Sequence, residues 1–215
     1  MTMTIKDEGV WREEIVRVTR QCTAQGLIRS SDGNLSVRLA PDRYLITPSG
    51  IYKATLQPAD LLLIDAEANV IAGPSGLRPT SETRLHLEVY NRRPDVRAVL
   101  HAHPPYATAL TLIGVTLPVN LIPEVLLTLG DVPTAPYATP GTAELAASIR
   151  PYIATHDALL LSHHGSLTIG PDLETALIAL ERIEHTARIY ALAHALGTPQ
   201  PLPAAEVARL RRLGQ

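Results

Sequence analysis

Two strand-like apolar runs of this sequence end in histidine, the side chain that most often binds a transition metal through a neutral ring nitrogen. The first run, AVLHAH, carries His101 and His103 one residue apart. Because side chains alternate across a strand, both imidazoles point to the same face, about 6.5 Å apart along the backbone, and can reach one ion. Two ligands do not complete a metal shell, so the pair taken alone favours a plainer interpretation, two partly exposed histidines at a strand end.

The second run, LLLSHHGSL, shifts the balance toward a metal. Gly165 follows two histidines and allows the backbone to turn sharply, so that one imidazole faces inward. Since neighbours on a strand face opposite ways, only one of His163 and His164 can bind, and the spacing leaves open which one. Three imidazoles with one position left open form the ligand set of a catalytic zinc-type site.

A carboxylate and two hydroxyls stand where a helix is predicted to begin. Glu82 lies in the first turn of that helix, directly after Thr80 and Ser81. Their plainer roles are to stabilise the helix dipole and to cap the helix. A helix N-terminus with two hydroxyls also offers hydrogen-bond donors to an anion, so the same residues can hold a phosphate.

Two glycine-containing segments, SSDGNLSV and TPSG, raise the same possibility. They contain Gly33 with Asn34 and Ser49 with Gly50, and each is also an ordinary turn signal. Glycines let backbone N–H groups approach a phosphate closely, and the Asn34 amide is a further donor. The chain has neither a Walker nor a dinucleotide-binding pattern, so these turns indicate no nucleotide.

The elements that must position these residues follow an α/β pattern. Apolar periodicity predicts a helix over residues 10–25, two hairpins within residues 34–73, and then alternating strands and helices up to Gly197. Each histidine-bearing strand is followed by a helix that starts with proline. This order predicts a central sheet covered by helices on both faces.

Length and composition limit the class of protein. The 215 residues fit one domain over residues 1–215, with a core at 10–197 and a peripheral C-terminal arm at 198–215. With 46% apolar residues, 19% charged residues and a net charge of -2, the chain has no electrostatic footprint for nucleic acid or a membrane surface. We therefore expect a small molecule or another subunit as partner.

Other features bear on compartment and mechanism. The longest apolar segment is interrupted by charges, and the N-terminus MTMTIKDEGVWREE lacks the basic start and apolar run of a signal peptide, which predicts a cytoplasmic protein. The lone Cys22 cannot form an internal disulfide. Lys6 and Lys53 are the only lysines, which limits any mechanism through a Schiff base.

Taken in order, several motifs resemble those of the class II aldolase/adducin family: GNLSVR, ITPSG, TSETRLHLEVYNRRPDVRAVLHAHPPYATAL, APYATPGTAEL and LLLSHHGSLTIG. The resemblance spans about residues 10–197 and is closest to the L-fuculose-1-phosphate aldolases. It implies a three-layer α/β/α fold with a central, largely antiparallel, mixed sheet. It also implies a homotetramer with active sites at subunit interfaces and a divalent metal, most often Zn²⁺.

Carried over position by position, the resemblance implies that His101, His103 and His164 bind the metal. Glu82 matches the catalytic carboxylate, and because related epimerases carry Asp there, Glu favours carbon–carbon cleavage. The implied reaction converts a small ketose 1-phosphate to dihydroxyacetone phosphate and an aldehyde. The residues implied to bind the phosphate are Gly33, Asn34, Ser49, Gly50, Thr80 and Ser81.

Two departures from the fuculose enzymes concern the aldehyde half of the substrate. Those enzymes have a tyrosine in the segment that matches VNLIPEV, where this chain has Ile122 near Glu124, and another in the tail, where ARLRRLGQ has none. Glu124 is one candidate for a replacement proton donor, and an exposed loop glutamate is the plainer interpretation. A decarboxylase, dehydratase or epimerase with the same metal site would also fit these motifs, as would a non-catalytic interaction domain like that of adducin.

Overall fold

The computed structural model describes residues 7–213, and within that range the chain forms eight strands and eight α-helices. The strands are β1 (Asn34–Ala40), β2 (Arg43–Ile46), β3 (Leu62–Ile64), β4 (Val70–Ala72), β5 (Ala98–Ala102), β6 (Thr134–Ala135), β7 (Ala158–Leu161) and β8 (Gly165–Gly170). The helices are α1 (Glu8–Ala24), α2 (Thr83–Arg92), α3 (Pro105–Leu112), α4 (Pro123–Thr128), α5 (Ala143–Ser148), α6 (Arg150–Ile153), α7 (Leu173–Leu196) and α8 (Ala204–Leu213). The expectations about the N-terminus and the C-terminal arm fall partly on residues 1–6 and 214–215, which lie outside the described range.

The strands form one mixed, largely antiparallel sheet in the order β4-β3-β2-β1-β5-β8-β7-β6. All neighbours pair antiparallel except β6 and β7, which run parallel. Short turns join β1 to β2 and β7 to β8, and such turns can connect only strands that run in opposite directions. The predicted α/β class and mixed central sheet are confirmed.

Helices cover both faces of the sheet because residues along each strand alternate between the faces. In β1, Leu35 and Val37 pack with α1 and α7, in an apolar cluster that includes Trp11. Between them, Ser36 points to the other face, where its hydroxyl contacts Tyr90 of α2. That second face is closed by α2, α5 and α6. The result is the three-layer α/β/α arrangement.

One end of the sheet gathers the strand ends that carry the candidate site. The register places Asn34, the first residue of β1, opposite His101 of β5. It also places Ala102, the last residue of β5, opposite Ser166 of β8. Because these strands are antiparallel, the end of β5 lies between the beginnings of its two neighbours. Residues distant in sequence are thereby brought together.

The structure differs from the sequence-based expectation in two elements and assigns a third that the sequence left open. Helix α2 begins at Thr83, so Glu82 is the N-cap residue and not part of the first turn. The helical stretch predicted at 141–153 is divided into α5 and α6, because Pro151 has no backbone N–H to continue the first helix. Residues 121–129 form an apolar stretch that the sequence assigns to neither helix nor strand, and they contain α4, which begins with a proline.

The described part of the C-terminal arm packs on its own chain. Helix α8 lies against α4 and buries Leu210. Arg211 forms an ion pair with Asp131 at 2.7 Å. Over residues 7–213, none of the helices combines the length and apolar character needed to cross a membrane.

Candidate metal centre and adjoining cavity

Three imidazoles, those of His101, His103 and His164, converge at this end of the sheet. One ring nitrogen of each lies within 4.8 Å of the others. The Nε2 atoms of His101 and His103 are 2.9 Å apart. The sequence spacing leaves open whether His163 or His164 joins this cluster, and in the structure it is His164. His163 is exposed, with its ring 6.2 Å from that of Tyr137.

The backbone around the third histidine explains why His164 faces inward. The sequence assigned the sharp turn to Gly165, but the left-handed residue of the turn is His163, with φ 56°. Gly165 is required for a different reason. A Cβ at this position would collide with the carbonyl oxygen of Ala102 and lie 2.8 Å from the ring of His103. The close approach of β8 to β5 therefore depends on this glycine and brings His164 beside the other two rings.

The ring nitrogens that face one another are available for coordination. Nδ1 of His101 donates to the carbonyl oxygen of Ser166 at 2.8 Å, so Nε2 is the ring nitrogen that faces the cluster. Burial, followed by the neighbouring His101, lowers the pKa of both His103 and His164 to about 4. Both rings are therefore neutral near pH 7, and neutral imidazole is the form that binds a metal.

Glu82 lies against the three imidazoles. Its Oε2 is 3.1 Å from Nε2 of His101 and accepts a hydrogen bond from the Asn34 amide at 2.9 Å. Its Oε1 is 3.3 Å from Nε2 of His164 and is buried without a hydrogen-bond partner. Burial raises the pKa of Glu82, but His101 and the Asn34 amide outweigh it and hold the pKa well below its usual range. The group is a carboxylate at neutral pH.

This donor set fits a divalent cation. Three ring nitrogens lie close together beside a carboxylate whose Oε1 has no hydrogen-bond donor, and a cation held by the nitrogens would also balance the charge of that carboxylate. Three histidine nitrogens beside one remaining position form the shell of a catalytic zinc ion. The same nitrogen and oxygen donors also suit other divalent ions of the first transition row.

A chain of buried hydrogen bonds runs from Glu82 into the core. Asn34, which donates to Glu82, accepts a hydrogen bond from Nε2 of His86 at 2.5 Å. Nδ1 of His86 is 2.6 Å from the hydroxyl of Ser36, which lies 2.7 Å from the hydroxyl of Tyr90. Burial lowers the pKa of His86 to about 3, so the ring is neutral. The Asn34 side chain thus holds the carboxylate in addition to lining the cavity beside it.

That cavity has a volume of about 380 Å³ and is bordered by Glu82, His103 and His164. All residues that the sequence indicated for phosphate binding also line it, in pairs from three different segments. These residues are Gly33 and Asn34, Ser49 and Gly50, and Thr80 and Ser81. Two of the three predicted metal ligands, together with Glu82 and all predicted phosphate residues, therefore surround one space.

Several hydrogen-bond donors at the cavity have no protein partner. Within residues 7–213, the backbone N–H groups of Gly33, Gly50 and Ser81 and the hydroxyls of Ser49 and Ser81 donate to no protein atom. Gly33 and Gly50 have φ values of 67° and 75°, a left-handed conformation that favours glycine. Ser81 stands just before the N-terminus of α2, the positive end of the helix dipole. Such a set of unpaired donors can bind an anion.

Some residues considered for chemistry lie elsewhere. Glu124 is exposed on α4 and is not among the described residues that line the cavity. Cys22 is buried in α1, where burial raises the pKa of its thiol to about 12. Conversely, Lys53 lines the cavity although the sequence did not single it out for the site. The only sequence feature that distinguishes Lys53 is that the chain has just two lysines.

Comparison with known proteins identifies the family. Residues 13–191 match the family model for the Class II Aldolase and Adducin N-terminal domain. The chain belongs to the class II aldolase and adducin family. The resemblance that the motifs indicated is therefore confirmed.

Relatives within the class II aldolase and adducin family carry names for different reactions. A 5-methylthioribulose-1-phosphate/5-deoxyribulose-1-phosphate aldolase of Rhodospirillum rubrum is 37% identical over 199 residues, covering 93% of this chain and 88% of the relative. A 3-oxo-tetronate 4-phosphate decarboxylase of Escherichia coli is 32% identical over 212 residues, covering 96% and 97%. The structure of an L-fuculose 1-phosphate aldolase matches with a TM-score of 0.84 at 33% identity, covering 94% of each chain.

Proposed function

We propose that this family member is a divalent-metal-dependent lyase that cleaves a small ketose 1-phosphate to dihydroxyacetone phosphate and an aldehyde. The proposal rests on one observation: a single cavity is bordered by Glu82 and two histidines of the cluster and by three segments with unpaired donors. A phosphorylated hydroxy-ketone needs both the metal-binding part and the donor-lined part of this cavity. Its oxygens require a cation, and its phosphate requires hydrogen-bond donors.

His101, His103 and His164 would hold the cation, and we propose Zn²⁺ because the donor set matches its catalytic shells. When bound, the metal supplies Lewis-acid polarisation of the substrate carbonyl and stabilises the negative charge that develops as the carbon–carbon bond breaks. The contact from Nδ1 of His101 to the Ser166 carbonyl fixes the orientation of that ring.

Glu82 is the proton-transfer group in this proposal. Its Oε2 is held by Asn34 and His101, so Oε1 is the oxygen left for the substrate. In the condensation direction, Oε1 accepts a proton from the hydroxymethyl carbon of dihydroxyacetone phosphate. In the cleavage direction, it returns the proton to the same carbon.

The phosphate would be bound by the donors at the other part of the cavity. Backbone N–H groups of Gly33, Gly50 and Ser81 would donate to its oxygens, together with the hydroxyls of Ser49 and Ser81. The N-terminus of α2 adds a favourable dipole for a dianion. These contacts orient the substrate so that its carbonyl end meets the metal ligands and Glu82.

We also propose the assembly and setting that the family resemblance implies. They are one domain over residues 1–215, a homotetramer with active sites at subunit interfaces, and a cytoplasmic location. The exposed apolar side chains of Leu112, Ile113 and Tyr137 support a surface that is covered by another subunit.

Release of dihydroxyacetone phosphate by the metal-loaded protein tests the proposed reaction. The substrates are the 1-phosphates of L-fuculose, L-rhamnulose, ribulose, 5-deoxyribulose and 5-methylthioribulose, with the product measured by NADH-coupled reduction. We expect release from at least one of them, and none from a His101→Ala control that has lost a metal ligand. Silence across the whole set, with the metal content verified, would contradict cleavage.

Decarboxylation of a 3-oxo acid phosphate is the second candidate, because the same Lewis acid would stabilise the charge left when CO₂ departs. The 32% identity to the decarboxylase over 96% of the chain favours decarboxylation over dehydration or epimerisation. Incubation with 3-oxo-tetronate 4-phosphate and measurement of CO₂ separates decarboxylation from ketose cleavage. An isomer of the substrate would indicate an epimerase, and a product that has lost one molecule of water would indicate a dehydratase. Protein purified without chelator that contains no divalent ion would favour an adducin-like interaction domain.

A further inference from the structure

Lys53 is a buried lysine at the cavity, with 1% of its surface exposed. Its Nζ donates to the backbone carbonyl oxygens of Ser31 at 3.0 Å, Pro48 at 3.2 Å and Ile51 at 3.3 Å. No carboxylate within the described part of the chain forms an ion pair with it. A buried ammonium without an anionic partner is uncommon, because burial of an unpaired charge is costly.

The three carbonyl groups belong to the two glycine-containing segments of the cavity. Ser31 lies two residues before Gly33, whereas Pro48 and Ile51 flank Ser49 and Gly50. One side chain therefore connects both segments and fixes the separation of their unpaired N–H groups. The Lys53 backbone adds to this connection, since its N–H donates to the carbonyl oxygen of Ser30 at 2.9 Å.

The charge at Lys53 is only partly balanced by these contacts. Burial lowers the pKa of Lys53, which reports the cost of keeping the ammonium away from water, and Asp32 acts in the opposite direction. Carbonyl dipoles satisfy the three N–H donors but carry no net charge. A dianion in the same cavity would supply the missing negative charge.

We propose that Lys53 is a positioning residue for the phosphate end of the substrate. It holds the two segments so that their amides face the anion, and its positive charge selects a dianionic ligand over a neutral one. This inference rests on the proposed function in one respect, namely that the cavity binds a phosphate ester. It does not depend on which carbon–carbon bond is cleaved.

Binding of inorganic phosphate and dihydroxyacetone phosphate to metal-loaded protein tests the role of Lys53. We expect Lys53→Met to weaken the binding of both by at least about tenfold, since it removes a charge and three hydrogen bonds beside the anion. Binding of unphosphorylated dihydroxyacetone, the matched neutral probe, should change by less than about twofold. Lys53→Arg should recover part of the affinity, because it keeps the charge. Wild-type phosphate affinity in Lys53→Met would overturn the proposal, as would an equal loss for the neutral probe.

A measurement on the unaltered residue keeps the proposal testable if Lys53→Met does not fold. The chain has two lysines, so ¹⁵N-lysine labelling gives two side-chain ammonium signals, and Lys6→Arg leaves only that of Lys53. Added inorganic phosphate should shift that signal. No shift at saturating phosphate would overturn the proposal. If ketose cleavage fails while phosphate still shifts the signal, the proposed reaction is wrong and the role of Lys53 stands.

Discussion

His86 lies at the centre of the buried hydrogen-bond chain behind Glu82, and replacing it with phenylalanine tests whether that chain positions the carboxylate. The His86→Phe side chain keeps an aromatic ring but has no polar atom. Asn34 Oδ1 would lose its donor, and the Ser36 hydroxyl would lose its contact with the His86 ring. The site is fully buried, so water does not replace these partners.

The expected magnitudes follow from these contacts. A buried polar group left without a partner costs about 1–3 kcal/mol, and Ser36 retains Tyr90, so we expect a total loss of about 2–4 kcal/mol. For a chain of this length, that corresponds to a fall in Tm of about 5–15 °C. Asn34 would also lose the contact that orients its amide toward Oε2 of Glu82. Because a misplacement of about 1 Å at a catalytic group costs roughly 10²-fold, kcat should fall by about that factor.

The variant should also change how stability depends on pH. The pKa of His86 is about 3 in the folded protein, against an ordinary value of 6.5. Below pH 6.5 the unfolded chain therefore takes up a proton that the folded protein does not, so stability is complete above that pH and is lost as the pH falls toward 3. From pH 7.5 to 5.0, wild type should lose about 2 kcal/mol more than His86→Phe.

Urea unfolding at pH 7.5 and 5.0, followed by circular dichroism, measures the stability, and dihydroxyacetone phosphate release measures kcat. Tyr90→Phe is the matched control, because it removes a hydroxyl at the far end of the same chain and leaves His86 in place. It should cost about 1 kcal/mol and keep the wild-type response to pH. Wild-type kcat together with a wild-type pH response in His86→Phe would refute the reasoning.

Two further substitutions test the site and its backbone. Glu82→Gln should lower kcat by about 10²–10⁴-fold, because it removes the proton acceptor. The metal bound per chain, measured by plasma mass spectrometry, should be unchanged, because the three histidines remain. Loss of the metal would instead make Glu82 a ligand. Gly165→Ala should reduce the free energy of unfolding by about 1–3 kcal/mol, because its Cβ meets the Ala102 carbonyl. Gly197→Ala, with nothing within 4 Å, is its control, and equal stabilities in urea would show that β8 does not approach β5 as described.

The fold class could be predicted because it depends on local patterns. Alternation in β1 sends Leu35 and Val37 to one face and Ser36 to the other, and short turns force antiparallel pairing. The helix boundaries that differ from the sequence-based expectation depend on single residues. Pro151 divides one predicted helix, and the backbone of Glu82 is not helical, so α2 begins later than the sequence suggested.

The site could be predicted only where its geometry is local. The shared face of His101 and His103 follows from the two-residue period of a strand. The choice of His164 over His163 depends on a left-handed residue and on the approach of β8 to β5, and neither is encoded in spacing. The contact between Asn34 and Glu82 likewise depends on strand register, since the two residues lie far apart in sequence.

The two halves of the cavity are built differently, and this difference predicts how substitutions affect kinetics. The half that contains the metal ligands and Glu82 is formed largely by paired strand ends, and the hydrogen-bond chain through His86 restricts its movement. The half that would bind the phosphate is formed by loops, and Lys53 connects two of these loops through hydrogen bonds. Contacts of the first half change as the bond breaks, whereas contacts to the phosphate are the same in the ground state and the transition state. Substitutions behind Glu82 should therefore lower kcat, and substitutions at Lys53 should raise KM.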